Sequence, residues 1–357
     1  MLEDPIEAAE ALIAQGRAGD AARDLRLRLD AGRGGLLARL TLVKALLAAG
    51  DRPQALAEAR EAVSLHSNVA PAVLALGEAL LAAELLPTAI AELQRALRLD
   101  PGLARARELI AAAWLKAGEA DKALAALREI EDAPAEMIAA AEAIKAAPRC
   151  DPGYVRHLFD QFSADYDSRM IGQLAYAAPQ ILLDLAGMVM PGRGRLAILD
   201  LGCGTGLAGA AFKPLAARLD GVDLSPAMIE KARQRKIGAR EIYDSLTVAD
   251  LETALCTAGP AYDLILAADT LVYLGDLLRT FEAAHARLHP DGYFLFTVEK
   301  AAGESFELGP KRRWRHSESL LRALAARAGF KVAGFVAATP RHEAGEPVEG
   351  FAVALAV

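Results

Sequence analysis

The stretch ILDLGCGTGLAG, residues 198–209, decides the fold of the C-terminal half of this chain. The apolar residues at its start predict a buried strand, and glycines at 202, 204 and 206 predict a tight turn that leads into a helix. Glycine has no Cβ, so such a turn brings the backbone close to a ligand. The stretch therefore predicts a ligand site at the end of a strand.

Apolar runs alternate with amphipathic stretches throughout the C-terminal half. The runs that predict strands are residues 196–201, 219–224, 263–268, 293–299, 330–338 and 351–357. Helix-like segments separate the first four, which favours a mostly parallel sheet with helices on both faces. No clear helix separates the last two, so we expect the sheet to end in an antiparallel pair.

The spacing of the glycines indicates which ligand the turn accepts. A dinucleotide site uses GxGxxG, whereas Leu207 stands here at the place of the third glycine. No Lys-Ser or Lys-Thr pair follows, so the turn is not a phosphate-binding P-loop. Asp223 lies 21 residues after Gly202, where a carboxylate can accept both hydroxyls of a ribose. An adenosine that carries a short amino-acid tail fits this pattern.

Four motifs follow one another along this half of the chain: DLGCGTG (200–206), GVDLSPAMIEKAR (221–233), VADLE (248–252) and LHPDGYFLF (288–296). Together they resemble the successive motifs of class I S-adenosylmethionine-dependent methyltransferases. The segment FDQFSADYD (159–167) is similar to the one that precedes the first strand in the small-molecule branch of that superfamily. The resemblance implies an α/β Rossmann-like, seven-stranded domain over residues 148–357. It also implies S-adenosylmethionine as the cofactor and S-adenosylhomocysteine as the product.

The resemblance further implies a set of cofactor contacts. The glycines would let the backbone approach the amino-acid end of the cofactor, and Asp223 would hold the ribose. Asp250 would accept the adenine amino group or, alternatively, cap a helix. Asp200 would orient the loop or reach the cofactor ammonium through water, and Cys203 is expected to be a packed small residue. The complete implied set is Asp200, Gly202, Cys203, Gly204, Gly206, Asp223, Leu224, Met228, Asp250, Leu251 and Tyr166.

Three residues are candidates for catalysis: Asp269, Tyr273 and Tyr166. The first two belong to AADTLVYLGDL (267–277), which follows a predicted strand and so lies over the carboxyl end of the sheet. Protein-lysine methyltransferases of the superfamily have an acid, two residues and then an aromatic here. Tyr273 comes one residue later, which weakens a lysine-specific assignment. Tyr166 would place a hydroxyl near the sulfonium, and Asp269 could instead cap its loop.

The segment PKRRWRHSES (310–319) concentrates basic residues around Trp314. It predicts either a lid that binds an acidic substrate or a solvated loop. In both cases Ser317 is the expected N-cap of the following helix.

The N-terminal half repeats with a period of 34 residues. One register holds Ala21, Ala55, Ala89 and Ala123. Two others hold Leu12, Leu46, Leu80 and Trp114, and Leu25, Ala59, Leu93 and Leu127. This period is typical of tetratricopeptide-repeat helix pairs, which the sequence resembles, and a generic helical bundle is the alternative. We therefore expect an α-solenoid over residues 1–147, with about four repeats, a capping helix at 135–147 and a linker at 147–153.

Composition limits the classes of partner and the cellular location that we expect for the chain. The formal net charge is −7, without the basic excess that nucleic-acid binding usually requires. Three widely spaced cysteines predict neither a disulfide framework nor a metal site. The N-terminus lacks the layout of a signal peptide, and no apolar run has the length of a membrane span. We expect a soluble cytoplasmic protein that binds neither nucleic acid nor membrane.

The two halves together predict a methyltransferase whose protein or peptide acceptor docks in the groove of the repeats. One alternative is a small-molecule acceptor at an O, N or C atom, with the repeats used for scaffolding or oligomerisation. The other is an adaptor that has lost methyl transfer.

Overall fold

The computed structural model describes residues 4–163 and 165–357. The chain divides into two compact units, Met1–Ala146 and Ala147–Val357, which we call the helical unit and the sheet unit. The division lies one residue before the predicted boundary. Within the described ranges, no helix is both long enough and apolar enough to cross a membrane.

The described part of the helical unit consists of helices joined by short turns. They are α1 (Pro5–Ala14), α2 (Ala18–Asp30), α3 (Leu36–Ala48), α4 (Arg52–Leu65), α5 (Ala70–Ala82), α6 (Leu86–Leu99), α7 (Ala104–Lys116), α8 (Ala120–Leu127) and α9 (Ala135–Ala146). Each helix packs against the next along the chain, and α3 also packs against α1 and α5. The predicted helical region is therefore present, while its assignment to the tetratricopeptide family stays a prediction.

The 34-residue registers coincide with the core of the helical unit. The four alanines of the first register, Ala21, Ala55, Ala89 and Ala123, are fully buried. Close packing explains the need for small residues: a Cβ added to Gly77 of α5 would lie 2.5 Å from Cδ2 of Leu93 in α6. The period thus reflects the positions at which neighbouring helices touch.

The turns inside three of the helix pairs use glycine in the left-handed region. Gly16, Gly50 and Gly118 have φ values of 75°, 80° and 64°. Glu84 occupies the same register in the third pair and adopts φ 61° without being glycine. The turn geometry is therefore preserved where the sequence pattern is broken, at the cost of left-handed strain in a residue with a Cβ.

The sheet unit alternates strands and helices. Its helices are α10 (Pro152–Phe162), α11 (Tyr166–Ser168), α12 (Ala178–Val189), α13 (Leu207–Phe212), α14 (Pro226–Gln234), α15 (Leu251–Cys256), α16 (Leu278–Arg287) and α17 (Glu318–Arg327). Its strands are β1 (Leu196–Leu201), β2 (Ala216–Asp223), β3 (Lys236–Ile237), β4 (Arg240–Glu241), β5 (Ser245–Val248), β6 (Tyr262–Ala267), β7 (Leu288–Lys300), β8 (Phe306–Leu308), β9 (Trp314–His316), β10 (Lys331–Ala338), β11 (His342–Glu343), β12 (Glu346–Pro347) and β13 (Gly350–Ala356).

The main sheet has the strand order β10-β13-β7-β6-β1-β2-β5, and β8 and β9 extend it beside β7. It is parallel from β5 to β7, and β13 runs antiparallel to both of its neighbours. The predicted antiparallel pair is present. The count of seven strands describes only the central order, because β8 and β9 bring the described sheet to nine strands.

Side chains that alternate along the strands form a separate core on each face of the sheet. Phe294 and Phe296 of β7 belong to one cluster, and Leu295 between them belongs to the other. All three are fully buried. A parallel sheet covered on both faces leaves its strand ends as the place for a ligand.

Two segments that were predicted as loops belong to the packed structure of the sheet unit. Within the predicted linker, Cys150 is buried and its backbone N–H donates to the carbonyl of Tyr273 at 2.8 Å. Within the predicted lid or loop, Trp314–His316 forms strand β9, which pairs with β7 and β8. Both predictions missed contacts with residues far away in sequence. Ser317 does cap α17, and its hydroxyl accepts from the N–H of Leu320.

Candidate active site

A cavity opens at the carboxyl ends of β1, β2 and β6, and we call it the inner cavity. The strand order reverses between β6 and β1, which is the switch point where open α/β sheets bind ligands. The cavity has an empty volume of about 690 Å³. Predicted site residues that line it are Gly202, Gly204, Asp223, Leu224, Asp250, Leu251, Tyr166, Asp269 and Tyr273.

The glycine-rich turn brings bare backbone to the wall of the inner cavity. Gly202 and Gly204 line it, with φ values of 65° and 54°. A Cβ on Gly202 would lie 2.3 Å from Cγ2 of Thr270, so the turn packs there without room for a side chain. Gly206 does not line the cavity; with φ 89° it begins α13 and packs beside Tyr243. Gly206 thus has a structural role at the start of α13, and its predicted cofactor contact stays a prediction.

Asp223 joins the glycine turn to the start of α14. One of its carboxylate oxygens accepts from the N–H of Gly204 at 2.8 Å, and the other accepts from the N–H of Ser225 at 2.8 Å. Burial raises the pKa of Asp223 to about 6, although these backbone hydrogen bonds favour the charged form. A carboxylate oxygen has lone pairs left after one such bond, so both oxygens can still accept from a ribose.

Asp200 and Cys203 lie behind the cavity wall rather than on it. Asp200 is fully buried and accepts from the hydroxyl of Tyr243 at 2.7 Å. Its second oxygen, Oδ1, has no hydrogen-bond partner among the described residues. Cys203 is buried in a core cluster, as expected of a packed small residue. Tyr243 was missed from the sequence because no pattern links it to a residue 43 positions earlier.

Leu224 and Met228 were both predicted to cover an adenine or to belong to the core. Only Leu224 lies on the wall of the inner cavity. Leu251 also lines this cavity. Met228 is fully buried, does not line the cavity, and its N–H donates to the capping hydroxyl of Ser225. Met228 is thus a core residue of α14, whereas the two leucines lie on the cavity wall. The predicted cofactor contacts of all three stay predictions.

Asp250 lines the inner cavity and also caps α15. One oxygen accepts from the N–H groups of Glu252 and Thr253, which is the capping role that the sequence offered as an alternative. The other accepts from the guanidinium of Arg149 at 2.6 Å, and Glu252 accepts from the same group at 2.7 Å. Arg149 lies in the segment predicted as a linker, so its place on the cavity wall was not anticipated.

Two aromatic residues that the sequence places in the motif 159–167 contribute to the wall of the inner cavity. Phe159 and Tyr166 line it, with ring centroids 6.1 Å apart. Two acids of the segment fasten it to the cofactor loops: Asp160 accepts from the hydroxyl of Ser225, and Asp167 accepts from the hydroxyl of Thr205, each at 2.5 Å. The resemblance of this segment to a known motif predicted its place near the cofactor, but it did not predict these two hydrogen bonds.

Tyr166 and Tyr273 present uncharged hydroxyls to the site. Burial raises the pKa of Tyr166 well above its usual value, and it raises the pKa of Tyr273 to about 12. Neither phenol loses its proton near neutral pH, so both are hydrogen-bond donors rather than bases.

Asp269 has an unusual backbone and a buried partner. Its φ is 57°, a left-handed value that is rare outside glycine and is found at functional sites. Its carboxylate accepts from Arg341 at 2.5 Å, and Arg341 is itself fully buried. Burial raises the pKa of Asp269 to about 7, against the opposing charge of Arg313. Arg341 was missed because it lies 72 residues further along the chain.

A second cavity, which we call the outer cavity, shares Phe159, Tyr166 and Tyr273 with the inner one. Its empty volume is about 1070 Å³. The shared aromatic residues place the two cavities side by side, so a ligand in each could meet at these rings.

Asp200→Asn is expected to stabilise the sheet unit more at high pH than at low pH. Burial raises the pKa of Asp200 to about 7, so the folded chain keeps a proton that the unfolded chain releases near pH 4. Stability therefore falls as pH rises between these values and is constant above them. The neutral amide removes this loss, which amounts to about 2 kcal/mol or more at about pH 8.

Urea denaturation at about pH 5 and about pH 8 measures the effect of this substitution. Asp184→Asn, on the exposed face of α12, is the matched control and should change little at either pH. An equal gain for Asp200→Asn at both pH values would contradict the assignment.

Residues 199–294 match the protein family described as methyltransferase domain. This part of the chain is similar to methyltransferase domains. Human Methyltransferase-like protein 27 is 37% identical over 105 residues, which cover 29% of this chain and 38% of that protein. Ubiquinone biosynthesis O-methyltransferase of Haemophilus ducreyi is 32% identical over 108 residues, which cover 29% and 45%. The chain spans less than half the length of these two relatives.

Two further comparisons are with named methyltransferases. Aklanonic acid methyltransferase DauC of Streptomyces sp. is 31% identical over 151 residues, which cover 40% of this chain and 64% of that protein. The solved structure of magnesium protoporphyrin IX methyltransferase from Synechocystis aligns with 57% of this chain and 98% of that one, at 16% identity and a TM-score of 0.45. The family match confirms the predicted methyltransferase resemblance over residues 199–294 and, with it, S-adenosylmethionine as the cofactor.

The inner cavity of the sheet unit fits this cofactor on its own chemistry. Gly202 and Gly204 offer backbone without side chains, and Asp223 offers acceptors at the end of β2. The unpartnered oxygen of Asp200 is a buried acceptor behind the glycine turn, suited to an ammonium reached through water.

Proposed function

We propose that the sheet unit transfers a methyl group from S-adenosylmethionine to a nucleophilic acceptor. The observation that supports this most directly is the meeting of the Gly202–Gly204 turn, Asp223 and Tyr166 in one cavity at the switch point of a sheet that is similar to those of methyltransferase domains. When bound, the cofactor supplies a methyl group on a positively charged sulfur, which an acceptor lone pair can attack.

The residues of the inner cavity would bind and orient the cofactor. The glycine turn accommodates its amino-acid end, Asp223 accepts from the ribose hydroxyls, and Leu224 and Leu251 provide apolar contacts for the adenine. Asp250 can receive the adenine amino group only with lone pairs that its bonds to α15 and Arg149 leave available. Orientation of two reactants in this way contributes roughly 7–11 kcal/mol in well-aligned systems.

The aromatic residues shared by the two cavities would exclude water and position the acceptor. Tyr166 and Tyr273 remain protonated and can donate hydrogen bonds to an acceptor oxygen or nitrogen. Asp269 lies on this cavity wall, and burial raises the pKa of its carboxyl to about 7, whereas its ion pair with Arg341 favours the charged form. It is our candidate for the group that holds the acceptor's proton.

We favour a small-molecule acceptor that enters through the outer cavity. This cavity adjoins the inner one at three aromatic residues, so a small acceptor bound in it would lie beside the cofactor site. Several relatives are named for small acceptors, among them ubiquinone biosynthesis intermediates and aklanonic acid.

A protein or peptide acceptor is the second candidate, supported by the stacked helices of the helical unit, whose period is typical of peptide-binding arrays. In that case the helical unit would dock the acceptor. If the sheet unit bound no cofactor, the adaptor alternative would be the one to pursue.

Calorimetric titration of the full chain with S-adenosylhomocysteine tests the cofactor assignment, and a saturable heat is expected. Gly202→Ala should abolish it, because its Cβ would lie 2.3 Å from Thr270. Gly194→Ala is the matched control, since a Cβ there meets no atom within 4 Å. Absence of heat in both the unmodified chain and this control would contradict the assignment as a methyltransferase.

The acceptor class is tested by incubating a lysate that lacks this protein with the full chain and methyl-labelled donor. Label confined to the small-molecule fraction supports the first candidate. Label in a discrete protein band supports the second.

A further inference from the structure

We propose that the acceptor is a small molecule with a flat apolar body and a carboxylate or similar anionic group, and that Arg169 at the mouth of the outer cavity binds this anion. The inference rests on the proposed function, because it assigns the outer cavity to the acceptor of methyl transfer.

The body of the acceptor is indicated by the apolar lining of the outer cavity. Its aromatic residues are Tyr154, Phe159, Phe162, Tyr166 and Tyr273, and its aliphatic residues are Leu158, Met170 and Leu174. Phe162 is 38% exposed, which is high for a phenylalanine. Rings that meet edge to face, such as Phe159 with Tyr166 and Tyr273, offer both faces and edges to another planar group.

The charge of the acceptor is indicated by an excess of cations on the same wall. Arg169, Lys311 and Arg313 line the outer cavity with a single carboxylate, Glu343. Lys311 and Arg313 both pair with that carboxylate, at 2.6 and 2.9 Å, and buried Arg341 pairs with it as well. Glu343 is therefore engaged by three cations, and among the described residues it forms no ion pair with Arg169.

Arg169 lines the outer cavity, and its guanidinium lies against an aromatic ring of the same wall. Its guanidinium stacks over the ring of Phe162 at 4.4 Å. Within residues 4–163 and 165–357, its side chain makes no ion pair with a carboxylate. Stacking uses the face of the guanidinium, whereas a carboxylate binds to the N–H groups in its plane. The stacked arginine can therefore bind an anion in bidentate fashion without giving up its aromatic contact.

A basic segment with a strained backbone, residues 311–313, also contributes to the wall of the outer cavity. Lys311 and Arg312 have φ values of 58° and 56°, two successive left-handed residues that are not glycine. The carbonyl of Arg312 accepts from the thiol of Cys150 at 2.9 Å, and its guanidinium stacks over Tyr154 at 4.5 Å. Strain of this kind persists only where surrounding contacts impose it, and it is concentrated at ligand sites. Lys311, one of the two strained residues, lines the outer cavity.

The probe pair for this proposal is 6-hydroxy-2-naphthoate and 6-hydroxy-2-naphthamide, which share shape and differ in charge. Titration into the full chain saturated with S-adenosylhomocysteine should show the acid binding about tenfold more tightly than the amide. Arg169→Gln should reduce this preference to about twofold or less. Arg279→Gln, an exposed arginine on α16 that lines neither cavity, should leave it unchanged.

Salt provides a second measurement that does not depend on any variant folding. Raising the salt to about 0.5 M should weaken binding of the acid and leave that of the amide nearly constant. Equal affinities of the two probes, a preference that survives Arg169→Gln, or binding of neither probe would overturn the proposal. So would a glutamate-rich peptide that binds more tightly than the naphthoate, since the acceptor would then be a peptide.

The same titrations separate this proposal from the proposed function. Binding of S-adenosylhomocysteine without a preference for the acid would reject the acceptor class and leave methyl transfer standing. A preference for the acid in a chain that binds no S-adenosylhomocysteine would reject methyl transfer instead.

Discussion

Asp223→Asn is expected to weaken binding of S-adenosylhomocysteine by about a hundredfold or more. The carboxylate accepts from the N–H groups of Gly204 and Ser225, and an amide would turn its NH₂ group towards one of them. The substitution therefore loosens the glycine turn and removes an acceptor for the ribose at the same time. Calorimetric titration of the full-length variant measures the loss.

Asp220→Asn is the matched control for this prediction, because it makes the same change three residues earlier in β2. Asp220 is buried and accepts from Tyr262 and Arg218, but it does not line the inner cavity. Its variant should keep an affinity close to that of the unmodified chain. If Asp223→Asn bound within about threefold of the unmodified chain, the ribose assignment would be wrong.

The same carboxyl predicts how cofactor binding depends on pH. Burial raises the pKa of Asp223 to about 6, so its charged, accepting form predominates above that pH and is lost below it. Affinity for S-adenosylhomocysteine should therefore decline as the pH falls through about 6.

Arg341→Met is expected to lower the unfolding free energy of the sheet unit by about 3–5 kcal/mol and to abolish methyl transfer. Arg341 is fully buried and pairs with Asp269 at 2.5 Å, with Glu343 at 3.0 Å, and with Glu299. Removal of the guanidinium leaves these carboxylates short of a counter-charge in a buried region. Urea denaturation measures the loss of stability.

A rescue variant distinguishes loss of charge balance from loss of packing at this site. Adding Glu299→Gln to Arg341→Met removes one of the unbalanced carboxylates, so it should recover part of the lost stability. Arg341→Lys keeps the positive charge, but an ammonium lacks the planar fork of donors that bonds to three carboxylates. Its loss of unfolding free energy should therefore be smaller than that of Arg341→Met but still measurable. A change of less than about 0.5 kcal/mol in Arg341→Met would contradict the importance of the cluster.

Arg341 also explains how Asp269 reaches the inner cavity. Asp269 follows β6 with φ 57°, a left-handed conformation that aspartate adopts more often than most residues with a Cβ. The ion pair to Arg341 and the bond from its N–H to the hydroxyl of Thr297 hold it there. Its candidate role in catalysis thus depends on residues contributed by β7 and by the segment before β11.

The sequence by itself determined six strands of the main sheet, but not β5, β8 or β9, together with the chemistry of the predicted cofactor turn. Apolar runs fixed the central strands to within a few residues, because burial on both faces of a parallel sheet requires continuous apolar residues. The spacing of glycines at 202 and 204 and of Asp223 located the inner cavity, because these residues are joined through two adjacent strand ends. The buried alanine period likewise fixed the helices of the helical unit.

Only the tertiary structure decided which polar groups face one another. Arg149 reaches Asp250, Tyr243 reaches Asp200, and Arg341 reaches Asp269, across 101, 43 and 72 residues. Such pairs leave no periodic trace in the sequence, because they depend on where loops from distant elements converge. The protonation of the site follows from the same convergence, since desolvation by remote neighbours keeps Tyr166 neutral and raises the pKa of Asp269.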